Sequence, residues 1–253
     1  MERDAMQSLI AWKQSPYRKP LILQGIRQVG KTWLLKEFGR RHYDRVAYFN
    51  FDEHPEYRQF FESTKDVTRI LDNLQFIIGF PITEGTTLII FDEIQEAPDV
   101  LNALKYFHEN GNAFHVTCAG SLLGVTLAKP SSFPVGQVDF LKIHPMTFSE
   151  MLGAEHEKGL LGYLDAKSDF DPIPEAFFAP LVEHLKRYFI MGGLPEAVAR
   201  WVNERDSSQI DSILYAILQA YEHDFAKHPQ PREYPKLIQI WRSLPSQLAK
   251  ENK

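Results

Sequence analysis

Gly25-Ile26-Arg27-Gln28-Val29-Gly30-Lys31-Thr32 stands between an apolar run, Leu21-Ile22-Leu23, and a segment from Lys31 to Phe38 with apolar residues at helical spacing. It matches the pattern G-x-x-x-x-G-K-[ST]. The glycines let the backbone curl until its N–H groups point inward at phosphate oxygens. The helix that follows presents its positive dipole end to the same point. In this reading Lys31 faces the β- and γ-phosphates of a nucleotide and the Thr32 hydroxyl holds Mg²⁺. Gly25, Arg27, Gln28, Val29, Gly30 and Trp33 complete the cradle. The same pattern also describes a plain glycine turn, but here a strand precedes it and a helix follows it, as phosphate binding demands.

The chain on either side repeats the strand–helix alternation. Val46 to Phe51, Thr86 to Phe91, His115 to Cys118 and the weaker Val138 to Ile143 read as strands. Ala5 to Ile10, Val67 to Ile78 and Pro98 to Phe107 carry apolar stripes of helical period. Gly39 stands where a helix C-cap is expected, with Arg40 and Arg41 just beyond it as dipole complements. Such alternation predicts an α/β fold with a parallel sheet. Leu88-Ile89-Ile90-Phe91 is a continuous apolar run, expected of a strand covered on both faces. It ends in Asp92-Glu93. Asp92 is placed to bind Mg²⁺ directly or through water, and Glu93 to act as general base on an attacking water. Ser121, at the end of the next strand, reads equally as a contact to water or the γ-phosphate and as a turn serine.

After Pro145 the strand signals stop and helical patterns run to the end, over Glu175–Ile190, Pro195–Asn203, Ser208–Lys227 and Tyr234–Lys250. The expected organisation is an α/β core over 1–147 and a helical region over 148–253, with Ala154 to Pro174 as a flexible connection. The 253 residues carry 44% hydrophobic and 24% charged side chains, which excludes a disordered or fibrous chain. A net charge of −5 argues against general nucleic-acid binding. The single cysteine, Cys118, forbids an internal disulfide or a cysteine-rich zinc site and reads as a buried strand residue. No secretory signal opens the chain, and no apolar run approaches the ~20 residues that span a bilayer, so the expected compartment is the cytoplasm. No D-x-x-G follows from Asp92 and no [NT]-K-x-D is present, so ATP is preferred over GTP. Asp165-Ala166-Lys167 has the form of a nuclease triplet, but no strand pattern surrounds it.

Taken in order, Gly25 to Thr32, Asp92-Glu93-Ile94-Gln95, Ala119-Gly120-Ser121, His144-Pro145-Met146-Thr147-Phe148-Ser149-Glu150 and Gly192-Gly193-Leu194-Pro195-Glu196 resemble the prokaryotic AAA-type ATPases that carry an uncharacterised C-terminal domain of nuclease-like fold. The resemblance spans nearly the whole chain. It implies a P-loop, AAA+-like core with strand order 5-1-4-3-2 and a helical lid. It also implies that Pro195, in Gly193-Leu194-Pro195, packs on the base of the nucleotide; proline equally suits the first turn of a helix. The apolar face continued by Leu244 and Leu248 leads, in similar proteins, into that further domain, which this chain is expected to lack. AAA+ rings usually place a trans-acting arginine between the fourth strand and the lid. This sequence has no arginine between Arg69 and Arg187, with Lys129 and Lys142 the basic residues of that stretch nearest the site. Arg187, Arg200 and Arg242 are the alternative sources.

The combined expectation is a slow, Mg²⁺-dependent ATPase that couples ATP and ADP states to lid movement, with an unidentified protein partner and no membrane partner. A nucleotide-controlled switch with negligible turnover and a nucleic-acid-associated ATPase are the competing readings.

Overall fold

Alternate residues of five short strands point to two separate hydrophobic layers, and that alternation organises the molecule. The computed structural model describes residues 1–120, 136–227 and 233–248; Ser121 and Lys129 lie outside them. The strands are β1 (Leu21–Gln24), β2 (Arg45–Asn50), β3 (Thr87–Asp92), β4 (His115–Ala119) and β5 (Asp139–Lys142). All pair in parallel, in the order β2-β3-β4-β1-β5, which is the expected 5-1-4-3-2. Ile22, Phe49, Ile89, Phe91, Val116 and Cys118 face one layer, which is filled by α4 (Val67–Ile78) and α5 (Pro98–Asn110). Leu21, Leu23, Leu88 and Ile90 face the other, filled by α1 (Ala5–Gln14) and α2 (Lys31–His42). Every residue of β3 is buried, which is why its sequence reads as an unbroken apolar run. The Phe91 ring has Phe49, Phe51, Phe61 and Phe107 within 6.0 Å centroid to centroid, so the end of β3 is held from several sides.

Two local expectations are corrected. Gly39 does not end α2. The helix runs to His42, and the Tyr43 N–H closes it on the Gly39 carbonyl at 3.0 Å. Glycine is required there for a different reason: a Cβ would lie 2.5 Å from Val46 Cγ2 and 3.2 Å from Leu88 Cδ2. It lets α2 lie close on β2 and β3. Arg40 and Arg41 consequently sit in the last turn of the helix, both hydrogen-bonded to Glu37. The second correction concerns Ala154 to Pro174, which contains helix α7 (Lys158–Ala166). Gly159 and Gly162 argue against a helix by propensity, at about 1 kcal/mol each. Tertiary contact overrides them: Tyr163 stacks on Phe177 with centroids 4.3 Å apart. Asp165 and Ala166 close this helix, so no nuclease-type strand carries them.

The short η-turn Pro55–Arg58 and helix α3 (Gln59–Glu62) follow β2. Past the sheet come α6 (Phe148–Ala154), α8 (Glu175–Met191), α9 (Pro195–Glu204), α10 (Ser208–Lys227) and α11 (Tyr234–Leu248). The chain forms two compact units, Met1–Pro195 and Glu196–Lys253, so α6, α7 and α8 belong with the sheet. Within the second unit, Trp241 packs against Tyr221 and Phe225 at 5.6 and 5.3 Å. Among the described residues no helix is long and apolar enough to cross a membrane.

At the amino end of the sheet, His115 is buried against the ring edges of Trp12 and Tyr43, and the Tyr43 hydroxyl lies 2.7 Å from its Nδ1. Burial, and then the charges of Arg18 and Lys13, push this imidazole down to about 4. Between that value and the ~6.5 of a free histidine, the unfolded chain holds the proton and the folded chain does not. Stability therefore falls as the pH drops from about 6.5 toward 4, by no more than about 3–4 kcal/mol from this group. Urea denaturation across that window is expected to show a shallower slope for His115→Gln than for the wild type.

Candidate functional site

The carboxyl ends of the parallel strands form one edge, where α/β proteins place their ligands. The loop from Gly25 to Gly30 leaves β1 there. A Cβ on Gly25 would meet the Ile143 carbonyl oxygen at 2.4 Å, because the chain leaving β5 crosses at that point and the Ile143 N–H donates to the Gln24 carbonyl at 2.7 Å. Gln28 and Gly30 adopt left-handed φ values of 57° and 86°, turning the loop into the first turn of α2. Val29 is fully buried, Arg27 is half-buried and Gln28 is exposed. Trp33 follows with 42% of its surface exposed beside the loop.

Lys31 is buried, and its Nζ donates to the carbonyls of Gly25 and Ile26 at 2.8 and 2.9 Å. Burial pulls its pKa below the ordinary lysine value, with Arg27 acting in the same direction, against the opposing carboxylates of Glu93 and Asp92. The cation thus sits inside the curl of the loop, between the backbone and the acidic end of β3.

Thr32 meets that end directly: its Oγ1 donates to Asp92 Oδ2 at 2.8 Å. Asp92 is buried, and its Oδ1 accepts the Glu93 N–H at 3.0 Å. A hydroxyl and a carboxylate are hard oxygen donors, the set that suits Mg²⁺ held partly by protein and partly by phosphates. Glu93, half-buried, has a left-handed φ of 52°, which costs a non-glycine residue roughly 1 kcal/mol. Its Oε2 accepts a hydrogen bond from the Gln95 side-chain amide.

Sequence reading passed over two residues at this site. Tyr48 donates its hydroxyl to the same Asp92 Oδ2 at 2.8 Å. Strand alternation was the available signal, since Tyr48, Ile90 and Asp92 fall on the face that α2 covers. Arg3 had no local signal. Its guanidinium is buried, with Nε 3.0 Å from Glu150 Oε1, Nη2 donating to the His144 carbonyl at 2.7 Å and Nη1 to the Val29 carbonyl at 3.2 Å. Glu150 also completes a capping box with Thr147 at the start of α6. The amino terminus, the phosphate loop and α6 are thereby joined.

The Gly192–Pro195 segment reaches the same place. Gly193 has a φ of 66°, and a Cβ there would stand 2.3 Å from the Met146 carbonyl oxygen. Its own carbonyl accepts the Met146 N–H at 2.7 Å, and the Tyr188 hydroxyl donates to the Met146 carbonyl at 2.9 Å. Pro195 follows, its Cγ 3.5 Å from the position a Gly30 Cβ would take. The structure therefore brings together Lys31, Thr32, Asp92, Glu93 and Pro195 at one edge of the sheet.

Breaking the Arg3–Glu150 pair by Arg3→Met is expected to cost about 3 kcal/mol, the low end for a buried pair, because backbone N–H groups still satisfy Glu150. Adding Glu150→Gln should recover most of that loss in urea denaturation, since glutamine also closes a capping box.

A family model described as an AAA domain matches residues 17–152, more than half of the chain. A second, described as a domain of unknown function, matches residues 182–253, and the nuclease-like domain implied by the resemblance has no support from either match. No curated protein matches. Among solved structures, a signal transduction ATPase with numerous domains and a tetratricopeptide repeat sensor, from Pyrococcus horikoshii, is similar at 13% identity and a TM-score of 0.47. That similarity covers 89% of this chain and 33% of the other. C. elegans PCH-2 is similar at 14% identity and a TM-score of 0.41, over 90% of this chain and 62% of the other. The chain thus spans a third of the first relative and under two thirds of the second. On the extent of the first family match, which spans residues 17–152 and so includes the Gly25–Thr32 loop and Asp92, the chain belongs to the AAA domain family.

Proposed function

We propose that this chain binds ATP with Mg²⁺ at the Gly25–Thr32 loop, hydrolyses it slowly to ADP, and couples the nucleotide state to movement of the helical region from residue 148 onward. The observation that carries this reading is the 2.8 Å hydrogen bond from Thr32 to Asp92, which puts the two hard-oxygen ligands of the phosphate-loop chemistry side by side. The loop N–H groups and the Lys31 ammonium bind phosphate oxygens. Lys31 already holds two backbone carbonyls, so a phosphate replaces neutral acceptors with a charged one. Thr32 and Asp92 are the metal ligands, and Mg²⁺ when bound supplies neutralisation of the phosphate charge. Glu93 takes the proton of the attacking water on its carboxylate, with Gln95 orienting Oε2. Ser121 is assigned to orienting that water or touching the γ-phosphate. Arg27, Gln28, Val29 and Trp33 complete the nucleotide cradle, and Pro195 lies on the base.

The sequence has no arginine between Arg69 and Arg187, and an arginine finger is worth roughly 10³–10⁵ in rate where one operates; slow turnover, or activation by a group outside this chain, is the reading this supports. In the helical region Arg200 pairs with Glu204 at 2.6 Å and Arg242 with Glu222 at 3.5 Å. The same observation favours, as a second reading, a nucleotide-controlled switch with negligible hydrolysis. The cytoplasm is the proposed compartment and a protein the proposed partner.

Titration calorimetry is expected to show ATP binding weakened about 10–100-fold by Lys31→Ala, the loss of a hydrogen bond to a charged group, with a cooperative unfolding transition retained. Equal affinity would remove Lys31 from the site. Glu93→Gln is expected to keep ATP affinity and to lower single-turnover hydrolysis by about 10²–10⁴, as for loss of a general base. A wild-type rate no faster than that of Glu93→Gln decides for the switch.

A further inference from the structure

We propose that Tyr48 is a positioning residue for the Asp92 carboxylate, its hydroxyl holding the carboxylate in the orientation that binds Mg²⁺ together with Thr32; this rests on the assignment of Thr32 and Asp92 as metal ligands. Strand alternation puts Tyr48 and Asp92 on the α2 side of the sheet, Tyr48 on the edge strand β2 and Asp92 at the end of the neighbouring β3. The two strands pair in register from Arg45 opposite Thr87 to Asn50 opposite Asp92. From there the phenol reaches diagonally to Asp92 Oδ2 at 2.8 Å, the oxygen that also accepts the Thr32 hydroxyl at 2.8 Å. A carboxylate offers about four acceptor sites, two on each oxygen. Thr32 and Tyr48 fill those of Oδ2, and the Glu93 N–H takes one on Oδ1 at 3.0 Å. The remaining acceptor site is on Oδ1. Tyr48 therefore completes Oδ2 and leaves Oδ1 as the oxygen with an acceptor site open to a metal or its bound water.

The ring is braced for that task. Lys36 lies one turn beyond Thr32 on α2, and its Nζ stands 3.6 Å from the Tyr48 ring centroid. Thr32 and Lys36 share a helix face, so α2 holds Asp92 with one side chain and the ring of its positioning residue with the other. Without the phenolic hydroxyl, Thr32 alone holds Oδ2 while the Glu93 N–H holds Oδ1, and the carboxylate is restrained by two hydrogen bonds instead of three.

The test measures ADP binding to the full chain by titration calorimetry, in Mg²⁺ and in EDTA, with ADP as probe so that hydrolysis plays no part. Wild type is expected to bind ADP more tightly in Mg²⁺. Asp92→Asn is expected to abolish that tightening. Tyr48→Phe keeps the ring and its Lys36 contact, and is expected to leave EDTA affinity within about twofold while reducing the Mg²⁺-dependent tightening about 10-fold, the loss of one hydrogen bond to a charged group. Lys36→Ala, which removes the brace and keeps the hydroxyl, is expected to reduce the tightening by less than Tyr48→Phe does. An undiminished tightening in Tyr48→Phe, with Asp92→Asn abolishing it, overturns the role of Tyr48 alone. Equal weakening of Tyr48→Phe in Mg²⁺ and EDTA also overturns it, because a purely structural defect does not distinguish the two. Undiminished tightening in Asp92→Asn overturns the metal-ligand assignment and the proposal with it.

Discussion

The hydrogen bond between Thr32 and Asp92 joins residues sixty positions apart, and it sets the demands on the rest of the α/β unit. Its donor opens a helix and its acceptor closes a strand, so helix and strand must converge within a fraction of an ångström. The strand is therefore placed inside the sheet, covered on both faces and gripped at its end by the Phe91 ring cluster. The helix is seated by Gly39, whose missing side chain allows close approach to Val46 and Leu88. The loop leading into the helix is shaped by Gly25, which alone tolerates the Ile143 carbonyl at that distance. Each of these is a packing constraint, and each acts on the position of one hydroxyl against one carboxylate.

A second set of contacts closes around the loop from outside the strand–helix repeat. Arg3 ties the Val29 and His144 carbonyls to Glu150, and Gly193 locks onto Met146 with Pro195 directly beyond it. The charges of Arg3 and Glu150 are buried together and surrounded by backbone donors and acceptors, the circumstance in which a buried pair is tolerated. Because Arg3 bonds the loop itself, the amino terminus and the start of α6 share their geometry with the backbone of the Gly25–Gly30 loop. A change in that backbone is mechanically connected to Glu150, and the Gly193–Pro195 segment touches the same loop at Gly30. This contiguity, within Met1–Pro195, is the feature on which the proposed coupling to the helical region rests.

Local chemistry is legible where one short stretch carries both the geometry and the ligand. The glycines, lysine and threonine of the loop, the apolar run into Asp92-Glu93 and the strand–helix alternation all identified themselves by spacing. The errors arose where a residue's reason lay across the fold. Gly39 looked like a cap because glycine commonly ends helices, yet it serves a strand contact. Gly159 and Gly162 suggested a loop, yet the stacking of Tyr163 on Phe177 keeps a helix there. Arg3 lies in a short stretch of mixed charge, and nothing local distinguishes it from a solvated residue.

The sequence by itself determined the class of fold, the glycine-bounded loop between β1 and α2 and the acidic pair at the end of the third strand, because periodicity and glycine placement act over a few residues. The tertiary structure alone decided that Tyr48 and Thr32 share one oxygen of Asp92, that Lys31 lies against the carbonyls of Gly25 and Ile26, and that Arg3 and Pro195 close on the loop. Those relations depend on strand order, register and the crossing of the chain just after β5 past Gly25. They are contacts between segments brought together by packing, and no local pattern encodes which distant partner a hydroxyl or guanidinium will meet.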